Sequence, residues 1–381
     1  MLPAGEIKAV CAASGLSVAQ VERDYVIGWL LWGIYQHPVL RENLILKGGN
    51  CLRKIYFPHT RYSEDLDFTA HHLDAAEMFA AHFEAVCAAV TQASGIAFHC
   101  EQMFVKEKQT PDEECRAVDA RVYFRGGSGR GSVTMRIKFD ISEYERIALP
   151  LQWHCLVHPF SDALACQVKV LTYSLEEVLA EKLRSWIQRT RPRDLFDVAM
   201  ILQSGAVPIS KANILTAFLQ KTIFKHVPLA GRDEMLAPEK FSRVVQSWLA
   251  GIGPAGQQIE PQAAIDQFTQ FIQALFDPIL LQAVGAPDQP DYDYHVRPHI
   301  RETIIEAGRA ARLLRLTYSG RSRDIEPYSF RYKVTRNGIG GEYFYGFDLS
   351  QGHTIKSFFL HKIEGVSILP QPFQPRWEIE F

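Results

Sequence analysis

Two aspartates separated by a single residue, Asp65 and Asp67, are the side chains best suited to do chemistry. They alternate with Leu66 and Phe68, and side chains alternate across a β-strand, so both carboxylates are predicted to project from one face. Two carboxylates held this close repel each other unless a cation lies between them. Mg²⁺, or Mn²⁺, suits oxygen ligands beside substrate phosphates. Taken alone, the pattern favours an exposed edge strand with two solvated aspartates.

A glycine pair upstream favours a functional role for Asp65 and Asp67. Gly48 and Gly49 follow a short apolar segment from Asn43 to Lys47 and precede a helix-like stretch. Backbone N–H groups at such a strand-to-helix turn can approach a triphosphate, and a helix N-terminus favours negative charge. An ordinary tight turn would need the same glycines. Lys47 and Arg61 add positive charge nearby, although each could also be a surface residue.

A third carboxylate comes from a later strand. In the segment from Met135 to Ile141 the apolar residues alternate with polar ones, which places Asp140 on the polar face near the strand's end. Three carboxylates from two neighbouring strands can bind two Mg²⁺ ions, which hold the attacking and leaving oxygens of an in-line displacement. The predicted metal ligands are therefore Asp65, Asp67 and Asp140.

Charged residues also recur on two predicted helices, at 175–189 and 194–203. Lys182 and Arg189 are seven residues apart and share a helix face, which could hold a triphosphate or simply be solvated. Asp194 and Asp197 fall at the start of the next helix, where aspartate is an ordinary capping or first-turn residue.

Between the strands predicted at 116–125 and 132–141, a Gly-rich turn from Gly126 to Gly131 predicts a hairpin. Basic residues around it could face an RNA acceptor: Arg116, Arg121, Arg125, Arg130 and Arg136.

In this order the motifs resemble the AbiEii/AbiGii toxin family of nucleotidyltransferases, within the DNA polymerase β-like superfamily. The family's first motif is the glycine pair with D-x-D, and its second, K-x-D, is matched by Lys138 to Asp140. The third motif matches Glu177 to Arg189, with Ser185 in place of the family's Ala. The fourth matches Arg191, Arg193, Asp194 and Asp197. The resemblance covers roughly residues 25 to 205.

The resemblance implies a metal-dependent nucleotidyltransferase that moves a nucleotide from a nucleoside triphosphate to an acceptor, with tRNA 3′ ends as one such acceptor. It also implies the toxin of a bacterial toxin–antitoxin or phage-defence (abortive infection) pair, with a cognate antitoxin as partner. Residues and resemblance together predict catalytic roles for Asp65, Asp67, Asp140, Lys182 and Asp194. They predict nucleotide binding by Lys47, Gly48, Gly49, Arg61, Ser63, Arg189 and Arg193.

The C-terminal section resembles a second family. The segments Ala310 to Tyr318, Glu342 to Asp348 and Lys356 to Ile363 follow the order of WYL domains, small Sm/SH3-like β-barrels of bacterial defence regulators. The triplet Tyr343-Phe344-Tyr345 stands where that family has Trp-Tyr-Leu, and Lys356 stands where Arg is usual. The resemblance implies a barrel that senses a nucleotide or nucleic acid, or one that serves for packing.

Length and composition agree with a multidomain α+β protein. The chain has 381 residues and a net charge of -2, so any polyanion site must come from local clustering of Lys and Arg. We predict a polymerase-β-like transferase domain at 1–205, with a mixed sheet and helices, a helical section and linker at 206–290, and a β-barrel at 296–381. Scattered cysteines, odd in number, and the absence of a signal-peptide pattern or a long apolar run predict a cytoplasmic protein without membrane contact.

Two other functions fit the same residues. The chain could be a regulator whose transferase fold binds nucleotide without turnover. Alternatively, the same chemistry could modify a protein, such as the antitoxin, by nucleotidylation or phosphorylation.

Overall fold

The chain folds into two compact units in a computed structural model, one of residues 1–221 and 231–283 and one of residues 222–230 and 284–381. The structure describes residues 2–71, 73, 76–108, 116–126, 133–143, 145–205, 208–225, 227, 231–280, 298–334, 340–350 and 352–381. The predicted hairpin turn and the predicted linker at 285–294 lie outside these residues. The division into three domains stays a prediction. No helix within the described ranges is long and apolar enough to cross a membrane.

The first unit combines helices with one sheet. Its helices are α1 (Ala4–Ser14), α2 (Val18–Gln36), α3 (Leu40–Asn43), α4 (Gly48–Cys51), α5 (Ala76–Ser94), α6 (Leu175–Arg189), α7 (Pro192–Ser204), α8 (Lys211–Phe224), α9 (Arg232–Met235), α10 (Pro238–Gln246), α11 (Trp248–Ile252) and α12 (Pro261–Leu275). By this division the last three residues of α8, 222–224, belong to the second unit. The strands are β1 (Leu44–Lys47), β2 (Asp65–Ala70), β3 (Phe104–Lys108), β4 (Ala117–Arg125), β5 (Thr134–Ser142), β6 (Gln152–Cys155) and β7 (Lys169–Thr172). A π-helical turn, Leu52–Tyr56, continues α4.

The seven strands form one mixed sheet in the order β3-β4-β5-β2-β1-β7-β6. Strand β2 pairs in parallel with β5 and antiparallel with β1, and β1 pairs in parallel with β7. This pairing confirms the predicted mixed α+β architecture. It also aligns Asp67 with Asp140 across β2 and β5.

The two faces of the sheet differ in polarity. Leu66, Phe68 and Phe139 are fully buried on one face, where Phe83 of α5 meets the Phe139 ring with centroids 4.6 Å apart. On the other face Asp65, Asp67, Lys138 and Asp140 are partly exposed, whereas Thr69 near the end of β2 is buried. The period-two alternation in the sequence therefore predicts correctly which side chains enter the core.

The structure also contains elements that the sequence reading did not predict. Strands β3, β6 and β7 and helix α1 are absent from the predicted set. Three of these four segments are only four or five residues long, too short for a periodic pattern to stand out. The predicted helix at 175–189 matches α6.

The described part of the second unit consists of α13 (Pro298–Arg309) and strands β8 (Arg312–Tyr318), β9 (Arg321–Val334), β10 (Gly340–Asp348), β11 (Thr354–Phe359) and β12 (Ile363–Pro372). The strands form an antiparallel sheet in the order β11-β10-β9-β8-β12. Ile300, Ile304 and Ala307 of α13 pack in a hydrophobic cluster with side chains of this sheet. The pairing describes an open sheet, so the predicted closed Sm/SH3-like barrel is not confirmed. Turn spacing predicts antiparallel strands, but closure depends on pairing between the first and last strands.

Candidate active site

The glycine pair packs directly against the acidic strand. Gly48 has a φ of +73°, a conformation that L side chains rarely adopt, and it follows Lys47 at the end of β1. A Cβ atom on Gly48 would lie 2.3 Å from Asp67 Oδ2, and one on Gly49 would lie 2.5 Å from Ser63 Oγ. Side chains at these positions would displace the residues that they touch. Glycine is therefore required here for close approach as well as for the turn.

The three predicted metal ligands lie on neighbouring strands. Asp67 and Asp140 are register partners, and Asp65 is two residues before Asp67 on the same face. Burial, together with the charges of Asp140 and Asp65, raises the pKa of Asp67 to about 6, although Lys47 and Lys182 act in the opposite direction. The carboxylates are thus close enough to oppose each other's ionisation.

Lysines compensate part of this negative charge. Asp140 Oδ2 lies 2.8 Å from Lys108 Nζ and 3.7 Å from Lys138 Nζ. Lys47 Nζ lies 2.9 Å from Glu145 Oε1. Burial opposes ionisation of Lys47, but the carboxylates of Glu145, Glu181 and Asp67 together outweigh it and raise the pKa of this lysine. Lys47 therefore stays charged beside the glycine pair.

A buried ion-pair network faces the glycine pair from α6 and α7. Arg61 Nε and Nη2 each donate to a carboxylate oxygen of Asp197 at 2.7 Å, and Lys182 Nζ lies 2.7 Å from Asp197 Oδ2. Burial works against the charge of Asp197, yet Arg61 and Lys182 hold its pKa below the ordinary value. Asp197 positions two cations that were predicted to meet a triphosphate.

Asp194 has a related structural role. Arg189 Nε and Nη2 donate to its two carboxylate oxygens at 2.9 Å, and Lys182 Nζ lies 3.7 Å away. Asp194 is fully buried, and α7 has Arg191 at its N-cap position with no side-chain cap. Of the two predicted positions for Asp194, the first turn of α7 is confirmed, and the helix cap is not. The carboxylate instead orients Arg189.

A cavity of about 760 Å³ opens between these elements. Most of the predicted site residues line it: Lys47, Gly48, Gly49, Arg61, Ser63, Asp65, Asp67, Lys182, Arg189 and Arg193. Two predicted residues lie outside the lining, Asp140 and the buried Asp194. The lining also contains apolar residues, called here the apolar wall, among them Val10 of α1, Leu16, Ile252 of α11 and Pro254.

The carboxylate donors fit a divalent metal in chemistry, because carboxylate oxygens on one face are the ligands that Mg²⁺ takes beside phosphates. Burial and mutual repulsion at Asp67 also favour a cation there. Among the residues that the structure describes, no group of three His, Cys, Asp or Glu side chains is arranged so as to enclose a metal ion. The metal site stays a prediction supported by donor type and register.

The structure adds functional candidates that sequence reasoning missed. Asp119 of β4 is the register partner of Asp140, which extends the row of carboxylates to a third strand. The Asn50 amide donates to the backbone oxygen of Asp65 at 2.6 Å and to that of Ser63 at 3.3 Å, which ties α4 to the acidic strand. Asn50 directly follows the glycine pair, so its position could have drawn attention. No sequence pattern pairs Asp119 with Asp140 before the strand order is known.

Comparison with known proteins gives one family match. A family model described as "Nucleotidyl transferase AbiEii toxin, Type IV TA system" matches residues 29–323. No curated protein matches the chain. Similar solved structures include MenT4, a nucleotidyltransferase toxin from Mycobacterium tuberculosis, with 16% identity, a TM-score of 0.52, and coverage of 79% of this chain and 98% of that one. JHP933 from Helicobacter pylori has 16% identity, a TM-score of 0.43, and coverage of 68% and 93% respectively. At this identity the likeness to MenT4 concerns the fold alone.

Proposed function

Because the chain belongs to the AbiEii nucleotidyltransferase toxin family, we propose that it transfers a nucleotide from a nucleoside triphosphate to an acceptor. The observation that carries this proposal is the packing of Gly48 against Asp67 at the edge of a cavity lined by Lys47, Lys182 and Arg189. Phosphates need cations and backbone N–H groups, whereas the chemical step needs carboxylates. This cavity offers both kinds of group side by side.

The two ends of the cavity suit the two ends of a nucleotide. The triphosphate would meet the backbone of Gly48 and Gly49, the Ser63 hydroxyl, and the cations Lys47, Arg61, Lys182, Arg189 and Arg193. The base and sugar would rest against the apolar wall formed by residues such as Leu16, Ile252 and Pro254. In the proposed three-domain division, residues 206–290 thus complete the pocket of the transferase domain at 1–205.

In the reaction the acceptor's hydroxyl oxygen attacks the α-phosphorus. A new phosphorus–oxygen bond forms while the bond between the α-phosphorus and the bridging oxygen breaks, and pyrophosphate leaves. Asp140 or Asp67 would take the hydroxyl proton. The cations held by Asp197 and Asp194 would stabilise the negative charge that grows on the leaving pyrophosphate.

Asp65, Asp67 and Asp140 would hold Mg²⁺, or Mn²⁺. When bound, the metal supplies Lewis-acid stabilisation of the phosphate oxygens. The protein's own contribution is the register of β2 and β5, which sets Asp67 beside Asp140.

The family also supports a biological setting. We propose that the chain is the toxin of a toxin–antitoxin pair acting in phage defence, with a cognate antitoxin as partner. We place it in the cytoplasm, where nucleoside triphosphates and tRNA are found, and name tRNA 3′ ends as the acceptor. The C-terminal residues 296–381 would serve this toxin as a ligand-sensing or packing domain.

Incubation with each α-labelled nucleoside triphosphate, Mg²⁺ and total bacterial RNA tests the activity. Labelled RNA is the expected product, and Asp67→Asn should reduce its rate of formation by at least about a hundredfold, because it removes a proposed ligand and charge from the reacting centre. Asp233→Asn is the matched control, since the Asp233 side chain is 93% exposed and is not part of the cavity lining.

Folded wild-type protein that binds nucleotide but labels neither RNA nor protein would contradict the transferase assignment and favour a regulator. Label on a co-expressed antitoxin instead of RNA would keep the chemistry and replace the acceptor. Equal rates for Asp67→Asn and Asp233→Asn would show that the cavity is not the active site.

A further inference from the structure

The polar face of the sheet continues from the carboxylates onto β3, β4 and β5 as a basic surface. Residues that pair directly across neighbouring strands lie on the same face, and here Arg121 pairs with Lys138 and Tyr123 with Arg136. The surface, called here the basic face, consists of Phe104, Lys106, Lys108, Arg121, Tyr123, Arg125, Arg136 and Lys138.

Charge is unevenly distributed along the basic face. Asp119 and Asp140 pair at the end near β2. Apart from Thr134, which pairs with Arg125, the residues beyond them on this face of β4 and β5 are basic or aromatic. Within the described parts of the three strands, residues 104–108, 117–125 and 134–142, no acidic side chain shares this half of the face. Because the chain's net charge is -2, this local excess of cations is not a general property of the surface.

The basic side chains are accessible to a partner. Arg125 and Arg136 are exposed. The side chains of Arg121 and Lys138 are each 34% exposed and lie 3.4 Å from Asp119 and 3.7 Å from Asp140, respectively. Each step of two residues along a strand advances roughly 7 Å. The cations therefore form a track that begins at the Asp140 carboxylate and runs away from it along β4 and β5.

The track starts on the side of the acidic strand away from the cavity. Asp67 lines the cavity, whereas its register partner Asp140 does not. If the triphosphate fills the cavity, the acceptor hydroxyl must arrive from the side of Asp140. We propose that the basic face is the docking surface for a single-stranded nucleic acid acceptor, whose 3′ end is delivered to Asp140. The direction of the bound strand, with its 3′ end at Asp140, rests on the proposed transferase function. Binding of the strand to the basic face is measured without transfer.

The composition of the surface favours a single strand. A chain of phosphates needs cations in sequence, and unstacked bases need aromatic platforms. Tyr123 and the exposed Phe104 supply rings among the cations, and Arg121 lies over the Phe104 ring at 4.9 Å from its centroid. Cations that contact phosphates position a nucleic acid without reading its sequence.

Fluorescence anisotropy with a dye-labelled single-stranded RNA tests the surface, without nucleoside triphosphate in the sample. Wild-type protein should bind, with an affinity that falls steeply between about 50 and 200 mM salt. The double variant Arg125→Gln/Arg136→Gln should bind roughly tenfold more weakly near 200 mM salt, and the slope of log affinity against log salt should shrink by about 1.4, as expected for two lost phosphate contacts. The charge-reversed pair Arg125→Glu/Arg136→Glu should bind still more weakly.

The control is Arg232→Glu/Arg243→Glu, which reverses two exposed arginines of α9 and α10 outside the basic face. It should bind RNA like the wild type, and all variants should bind Mg²⁺–nucleoside triphosphate equally well. Equal loss of RNA binding in the control pair and in the Arg125/Arg136 pair would overturn the proposal. So would a wild type that does not bind RNA at low salt.

The outcomes separate this inference from the proposed function. Loss of RNA binding confined to the Arg125 and Arg136 variants, without any transfer product from the wild type, would support the surface and contradict the transferase. Transfer to RNA that is unaffected in those variants would keep the transferase and overturn the surface. Transfer to a protein only, without RNA binding, would also overturn it.

Discussion

Replacing Gly48 by alanine perturbs the site through a single methyl group. The new Cβ would lie 2.3 Å from Asp67 Oδ2 and 3.0 Å from Asp67 Cβ and Cγ. Ordinary non-bonded contacts between carbon atoms lie at about 3.5–4.0 Å, so the Asp67 carboxylate has to move by about 1 Å. Any such shift changes the position of the carboxylate relative to Asp140, its register partner on β5.

Two separate costs follow from this substitution. The φ of +73° at Gly48 is a left-handed conformation that costs a residue with a Cβ about 1–2 kcal/mol in stability. A displacement of about 1 Å at a reacting group lowers the rate by about a hundredfold. Gly48→Ala should therefore lose much more activity than its loss of stability explains.

Gly205→Ala separates the two costs, because Gly205 also has a positive φ, +54°, but a Cβ there would meet no atom within 4 Å. Both variants should lose about 1–2 kcal/mol in urea unfolding. In the labelled-triphosphate assay at saturating Mg²⁺, only Gly48→Ala should lose about a hundredfold in rate. A Gly48→Ala enzyme with more than a third of wild-type activity, or an equal loss in Gly205→Ala, would refute the steric reasoning.

Two further predictions concern buried charge. Asp197→Asn leaves the cations of Arg61 and Lys182 without their shared carboxylate, so urea unfolding should show a loss of about 3–5 kcal/mol; a loss like that of the exposed Asp233→Asn would contradict the network. His158 is buried, and burial, with the nearby Lys54, lowers its pKa to about 4 despite the opposing effect of Asp162. Because the unfolded chain binds a proton at His158 near pH 6.5 and the folded one only near pH 4, stability should be full above pH 6.5 and fall with decreasing pH, by about 2 kcal/mol at pH 5. His158→Gln should remove that part of the pH dependence, and an unchanged profile would contradict the assignment.

Local patterns in the sequence predicted the acidic strand well. Alternation placed Asp65 and Asp67 on one face and Leu66 and Phe68 in the core, as the structure has them. The glycine pair was predicted to precede a helix, and α4 begins at Gly48. These features depend on side-chain period and backbone freedom, which are properties of a few adjacent residues.

The partners of the charged residues could not be predicted in the same way. Lys182 was expected to face a triphosphate, and it lines the cavity, but Asp197 holds its ammonium group. The contact between Arg61 and Asp197 joins residues 136 positions apart. Such contacts depend on the strand order and on the packing of α6 and α7, which no local period encodes. The C-terminal barrel is not confirmed, and the reason is similar, because closure is a property of pairing and not of individual strands.

The ion pair between Arg61 and Asp197 also constrains the order of events during synthesis. Ribosomes make the glycine pair, the acidic strand and Lys182 before α7, so these residues emerge without the carboxylate that positions two of the cations. Contacts between residues so far apart in sequence form late in folding, because a long loop must close first. A nascent or truncated chain that ends before Asp197 therefore cannot assemble the ion-pair network of Arg61, Lys182 and Asp197 at the cavity. For a toxin, this order delays activity until the whole sheet and both helices of the site have been made.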